Sequence, residues 1–150
     1  MLLSCHSWTP FVIKIIREIQ LRNNDFFVLI YGFIIDSVLI PVQAAYLPVK
    51  GLQQLIRTIG MVKKRLNRKL KIEGILLTMV DSRTNYAKDI IEKVRNVYGS
   101  TLKIFDSVIP LSVKAAEATA EGISIFKHCP KGKAAQAYQG LTMEVLANEK

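Results

Sequence analysis

A chain of 150 residues, half of them apolar and 22% charged, is long enough for one domain with a real core, and its composition is not that of a disordered or fibrous protein. Its 21 Lys and Arg against 12 Asp and Glu leave a net charge of +9 and a pI near 9.7. That balance suits a polyanion partner such as nucleic acid or anionic lipid, or a soluble domain with Lys-rich exposed faces.

Cys5 and Cys129 lie far apart and form no CxxC pair. This argues against a disulfide framework or a structural zinc site and suits a reducing cytoplasm. His128-Cys129 is at most half a metal site, with no partner pair at ligand spacing, so no metal is expected.

The opening MLLSCHSWTP lacks a basic region followed by a long apolar core and does not read as a signal peptide. Thr9-Pro10 is a helix start, with Thr as N-cap and Pro at the first helical position. Phe11, Ile15 and Ile19, with Val12 and Ile16 beside them, predict an amphipathic helix to about Leu21. It could pack on a sheet or lie on a membrane surface.

After the polar break Arg22-Asn23-Asn24-Asp25, Phe26 to Ile35 reads as a buried strand and Val38 to Val42 as a second apolar run. A spanning helix needs about 20 apolar residues and would bury Asp36 at a cost of a few kcal/mol, so strands are expected instead. Only Asp36 and Ser37 separate the two runs, whereas parallel strands need a crossover of about a dozen residues or more. Either the runs are one long strand or a crossover is missing.

Leu52, Leu55, Ile56, Ile59, Val62 and Leu66 repeat at helical spacing and predict a helix over Val49–Leu66. Lys63, Lys64, Arg65, Arg68, Lys69 and Lys71 crowd its end, either to complement the helix dipole or to contact phosphates. Ile72 to Met79 is the next strand. Thr84 caps a helix with Ile90, Ile91, Val94 and Val97 inward, ending near Gly99. Leu102 to Ile109 reads as a strand that stops at Pro110. Ser112 caps a short helix through Ala120, closed by Gly122. A short apolar run over Ile123 to Phe126 precedes a final helix with Ala134, Ala137, Tyr138, Leu141 and Val145 inward.

From Val38 onward strands and helices alternate. This predicts an α/β fold with a mainly parallel sheet flanked by helices. Ligands in such sheets bind past the carboxyl ends of the strands, which singles out Thr78 to Asn85. Arg83 follows one strand and Lys114 another, so both loops are expected on one edge. Together they could hold a phosphate backbone, or they could be two solvated loop cations. The sequence holds no GxxxxGK[ST] loop, no GxGxxG and no nucleophile elbow.

Several stretches resemble ParA/Soj-type partition ATPases of the MinD/ParA deviant P-loop class. They are Asp36-Ser37-Val38-Leu39-Ile40-Pro41-Val42-Gln43, Gly51-Leu52-Gln53-Gln54-Leu55, and Gly74 through Asn85, followed by Val108-Ile109-Pro110, Glu117-Ala118, Gly122, Gly132 and Ala137-Tyr138. The resemblance covers roughly residues 36–147. It implies a P-loop NTPase-like fold, ATP and Mg as cofactors, a homodimer around ATP, nonspecific DNA binding, a ParB-type partner and a nucleoid-associated cytoplasmic location.

The family's DNA-contacting positions fall on Arg83 and Lys114, with Lys where Arg is usual. Its adenine pocket falls on Thr78, Met79, Pro110 and Leu111. Tyr31 to Asp36 resembles the Walker B strand joined directly to Ser37, as if the segment between two strands had been removed. Asp36 reads either as the Walker B Asp or as the Asp that opens the following strand. Residues 1–35 then form an atypical amino-terminal segment, an amphipathic helix plus a strand and Walker B remnant, and residues 36–150 the ParA/Soj-like part. No KGGxGKT-type Walker A loop is present, and Cys129 replaces the Asp of the family's YDP. The expected reading is a truncated, internally deleted relative that does not hydrolyse ATP alone and has no catalytic residue of its own. The alternatives are a degenerate product without independent activity and a MinD-like membrane-associated protein. Membrane association is disfavoured because MinD's amphipathic helix is carboxy-terminal, where this chain carries Glu144 and Glu149.

Overall fold

The computed structural model describes residues 36–148. The helix expected at Thr9–Leu21, the strand expected at Phe26–Ile35 and the segment 1–35 as a whole lie outside the described residues.

Two parallel strands, β1 (Ser37–Gln43) and β2 (Lys71–Thr78), form the regular part of the sheet. Both are near-continuous apolar runs because helices cover both of their faces. Val38, Ile40, Val42, Ile75 and Leu77 pack on one face against Leu52, Leu55, Ile59 and Val62 of α1 (Tyr46–Arg65). Ala87, Ile90 and Val94 of α2 (Asn85–Tyr98) complete that layer. Leu39, Leu76, Phe105 and Ile109 pack on the other face against Leu141 and Val145 of α5 (Lys133–Asn148). Between them lie α3 (Val113–Ala120) and the single turn α4 (Ile125–His128).

α1 starts three residues earlier than the apolar spacing indicates. Pro48 is tolerated there because first-turn N–H groups have no partner inside the helix. The Ala45 N-cap offers no side-chain oxygen, and the Tyr46 N–H donates instead to the Tyr86 hydroxyl of α2 at 2.9 Å. Three residues expected to point inward are exposed: Leu66, Val97 and Tyr138. Val97 lies at the edge of its helix's apolar stripe, Leu66 follows the last helical residue of α1, and in α5 Ala135 is buried beside Ala134.

The expected strand over Leu102–Ile109 is only partly regular. Residues 104–110 run parallel beside β2 but pair as bridges at Ile75–Ile104 and Val80–Pro110. The Phe105 N–H donates to the Ile75 carbonyl at 3.0 Å, and the Ile109 N–H donates to the Leu77 carbonyl at 3.0 Å. The chain thus advances from Phe105 to Ile109 while β2 advances only from Ile75 to Leu77, and the excess bulges out. Glu144 of α5 holds the bulge, its two carboxylate oxygens accepting from the Asp106 and Ser107 amides at 2.9 and 3.0 Å. Burial alone would raise the Glu144 pKa, but those amide bonds, with Lys103 nearby, outweigh it and hold the group below its ordinary value.

β2 carries an irregularity of its own, where Val38 and Leu39 face Ile72 and Gly74 and skip Glu73. Gly74 has φ +151°, and a Cβ there would meet the Lys103 carbonyl at 2.7 Å. Only glycine fits both the conformation and the space. Among the described residues no helix is long and apolar enough to cross a membrane.

Candidate nucleic-acid interface

Past the end of β2 the chain turns sharply. Met79 takes φ +53°, a left-handed conformation that costs a non-glycine residue about 1–2 kcal/mol. Val80 then returns to the sheet, its N–H donating to the Ile109 carbonyl at 3.1 Å and its carbonyl accepting from the Leu111 N–H at 3.0 Å. This exchange brings the loops after β2 and after Ile109 onto one edge. Thr78 and Pro110 are half-buried there, while Met79 and Leu111 are exposed.

Asp81 organises the first loop. Its carboxylate accepts from the Arg83 backbone amide at 3.2 Å and from Arg83 Nε and Nη2 at 2.8 Å each. Its carbonyl accepts from the Thr84 N–H at 3.1 Å and the Thr84 hydroxyl at 3.0 Å. Thr84 in turn caps α2, its Oγ1 accepting from the Ala87 N–H at 3.2 Å. The Arg83 side-chain bonds, and then its amide, hold the Asp81 pKa near 2, and the same contact raises that of Arg83. The Arg83 side chain stays 86% exposed, with one edge of its guanidinium fork occupied.

In the second loop Ser112 caps α3 by accepting from the Ala115 N–H. Lys114 Nζ donates to Glu117 Oε2 at 2.8 Å, which raises the Lys114 pKa, while Lys114 and then His128 lower that of Glu117. His128 sits between two carboxylates, with Nε2 3.2 Å from Glu117 and Nδ1 3.3 Å from Glu121. The two nitrogens face opposite partners and tie α4 to α3. Among the described residues no group of three His, Cys, Asp or Glu side chains converges as a metal site would need.

Thr78, Met79, Arg83, Pro110, Leu111 and Lys114 therefore share one edge. Asp36 does not join them. It precedes β1 at the opposite end of the sheet, roughly 23 Å of strand away, with its carbonyl accepting from the Lys71 N–H at 2.9 Å. Residues 31–35, which the Walker B alternative for Asp36 involves, lie outside the described residues. In the sequence Asp81 and Glu117 stand out only as members of the family-like stretches, although both lie at spacings where a side chain reaches its neighbour, i,i+2 in a turn and i,i+3 on a helix.

A family model described as the CobQ/CobB/MinD/ParA nucleotide binding domain matches residues 14–125. The chain belongs to that family. The Bacillus subtilis sporulation initiation inhibitor protein Soj is 43% identical over 75% of this chain and 44% of its own length. A chromosome partitioning protein ParA of Myxococcus xanthus is 40% identical over 76% of this chain and 40% of its own. The chromosome-partitioning ATPase Soj of Thermus thermophilus is 39% identical over 75% and 44%. The chain thus spans less than half the length of these curated relatives.

Among solved structures, a Mycobacterium smegmatis cobyrinic acid a,c-diamide synthase with bound ATP analog and magnesium aligns with TM-score 0.61 and 29% identity over 77% of this chain and 40% of its own. A Cyanothece McdA–ATP complex aligns with TM-score 0.62 at 21% identity, over 75% and 43%, a likeness of fold alone. The fold is the α/β, P-loop NTPase type expected from the sequence.

The described residues fit a nucleotide in part. Pro110 and Leu111 beside Thr78 and Met79 offer apolar surface of the kind that receives a base. The phosphates of ATP require a glycine-rich cradle with a Lys, and Mg a hydroxyl and a carboxylate beside it. No glycine-rich loop of that kind occurs in the sequence.

Proposed function

We propose that this chain is a partition-type DNA-contacting module whose sheet edge grips the phosphate backbone without reading sequence. The observation that supports it is the Val80–Pro110 pairing, which sets the Arg83 and Lys114 loops side by side with both cations largely exposed. Backbone gripping by separated cations is sequence-independent and salt-sensitive. A ParB-type protein and a second copy of the chain are the partners this reading carries, and the nucleoid is the location. Thr78, Met79, Pro110 and Leu111 supply the base-facing side of an ATP site, with Mg at the phosphates. Without a phosphate cradle, the chain alone does not turn ATP over.

Fluorescence anisotropy with a random-sequence duplex tests the first part. Affinity should fall steeply with salt, and Arg83→Ala with Lys114→Ala should weaken it and flatten the salt slope by about 2. An unchanged slope would remove these two contacts. Phosphate release with duplex DNA and a ParB-type partner tests the second part, and turnover above a buffer blank would overturn it.

A further inference from the structure

From Ser37 to Ile72 the chain carries eight Lys and Arg and no Asp or Glu. From Glu73 to Asn148 the balance is nearly even, nine cations against eight acids. The positive excess of the described fold is thus concentrated in α1 and the turn into β2, and its densest part, residues 63–71, lies at the end of the sheet opposite Arg83 and Lys114.

The placement of these cations is ordered. Lys50, Arg57 and Lys64 recur every seven residues on α1, all exposed, opposite the buried Leu52, Leu55, Ile59 and Val62. At 1.5 Å rise per residue they form a stripe about 21 Å long. Lys63, Arg65, Arg68, Lys69 and Lys71, also exposed, carry the charge around the corner into β2. Among the described residues none of these eight cations forms an ion pair.

The helix dipole explains only part of this. Lys63, Lys64 and Arg65 occupy the last turn of α1, where cations complement the carbonyl ends. Lys50 and Arg57 lie well before it, and Arg68, Lys69 and Lys71 lie after the helix has ended. Six cations fall within the nine residues 63–71, a density of like charge that is self-repelling. Phosphates neutralise such a stripe and release their own counterions, a favourable exchange.

We propose that the outer face of α1 and the α1–β2 corner form a second contact surface for the phosphate backbone of duplex DNA. The proposal rests on the DNA-contacting reading above but uses different residues. The eight residues of β2 span roughly 26 Å, several Debye lengths, so the corner and the Arg83–Lys114 edge act independently.

The test is a salt titration of duplex affinity for the full chain, for Lys64→Ala/Arg68→Ala/Lys69→Ala, and for Arg83→Ala/Lys114→Ala. If all three corner cations touch phosphate, log K against log salt should flatten by about 2.7 in the corner variant, with affinity at low salt down at least tenfold. Lys64→Arg/Lys69→Arg should bind as the parent does, and the thermal melt of each variant should stay cooperative. A corner variant that is folded and keeps the parent slope overturns the proposal, whatever the edge variant does. A parent chain with no duplex affinity overturns this proposal and the DNA reading together. If the corner variant loses only binding to phosphatidylserine vesicles, the surface belongs to anionic lipid and the proposal fails.

Discussion

The two cationic regions of this molecule are built in opposite ways. At the carboxyl edge of the sheet each candidate DNA cation is held by a carboxylate from its own element, Arg83 by Asp81 and Lys114 by Glu117. At the α1–β2 corner six cations crowd together, and among the described residues none has a carboxylate partner. The edge is a site of defined geometry and little net charge. The corner is a source of potential with little geometry. Position and field are separate properties, and this chain assigns them to opposite ends of one strand.

The strongest way to break the comparison is to remove the strand that joins both regions. Gly74→Ala must place a Cβ 2.7 Å from the Lys103 carbonyl at a positive φ. It should cost about 2–4 kcal/mol in a denaturant melt and weaken both regions together. A variant as stable as the parent would show that the Lys103 segment yields freely.

Glu144→Gln separates the regions. Its carboxylate holds the bulge that leads into Pro110 and Lys114, and the change should cost about 1–2 kcal/mol while the corner stays unaffected. Acid should act in the same direction. The Glu144 pKa is lowered in the fold, so the folded state binds fewer protons than the unfolded one at this site. Its contribution is present above the ordinary Glu value of about 4.3 and is lost as pH falls through the lower folded value. The parent should lose stability below that pH more steeply than Glu144→Gln, as followed by circular dichroism.

Asp81→Asn sharpens the contrast from the edge side. It leaves a side-chain oxygen for the Arg83 amide, and the Thr84 bonds to the Asp81 main-chain carbonyl are untouched, but it removes the charge that engages the guanidinium. Duplex affinity should rise several-fold and the melting temperature should move little. Weaker binding would mean that Asp81 presents Arg83 to DNA rather than competing for it. The smallest effect is expected on the stability of the corner variants. Their side chains are exposed and form no ion pair among the described residues, so their melts should nearly overlay that of the parent.

Much of this molecule is legible in the order of its residues. Strand identity follows from the apolar runs Val38–Val42 and Ile72–Thr78, helix faces follow from the spacing in α1, and two N-caps follow from Thr84 and Ser112. Arg83 and Lys114 follow parallel strands, which present their following loops on one edge, and the Val80–Pro110 pairing has that form. These signals are local. They depend on a side chain and backbone groups within a turn or two, so sequence spacing encodes them directly.

What tertiary structure alone decided involves partners far apart in the chain. Glu144 reaching the Asp106 and Ser107 amides converts an expected strand into a bulge, and Tyr86 supplies the hydrogen bond that lets α1 begin at Tyr46. Both satisfy backbone donors that a nearby residue could have taken instead. Which distant side chain takes them depends on how α5 and α2 pack against the sheet, and no spacing in the sequence records that.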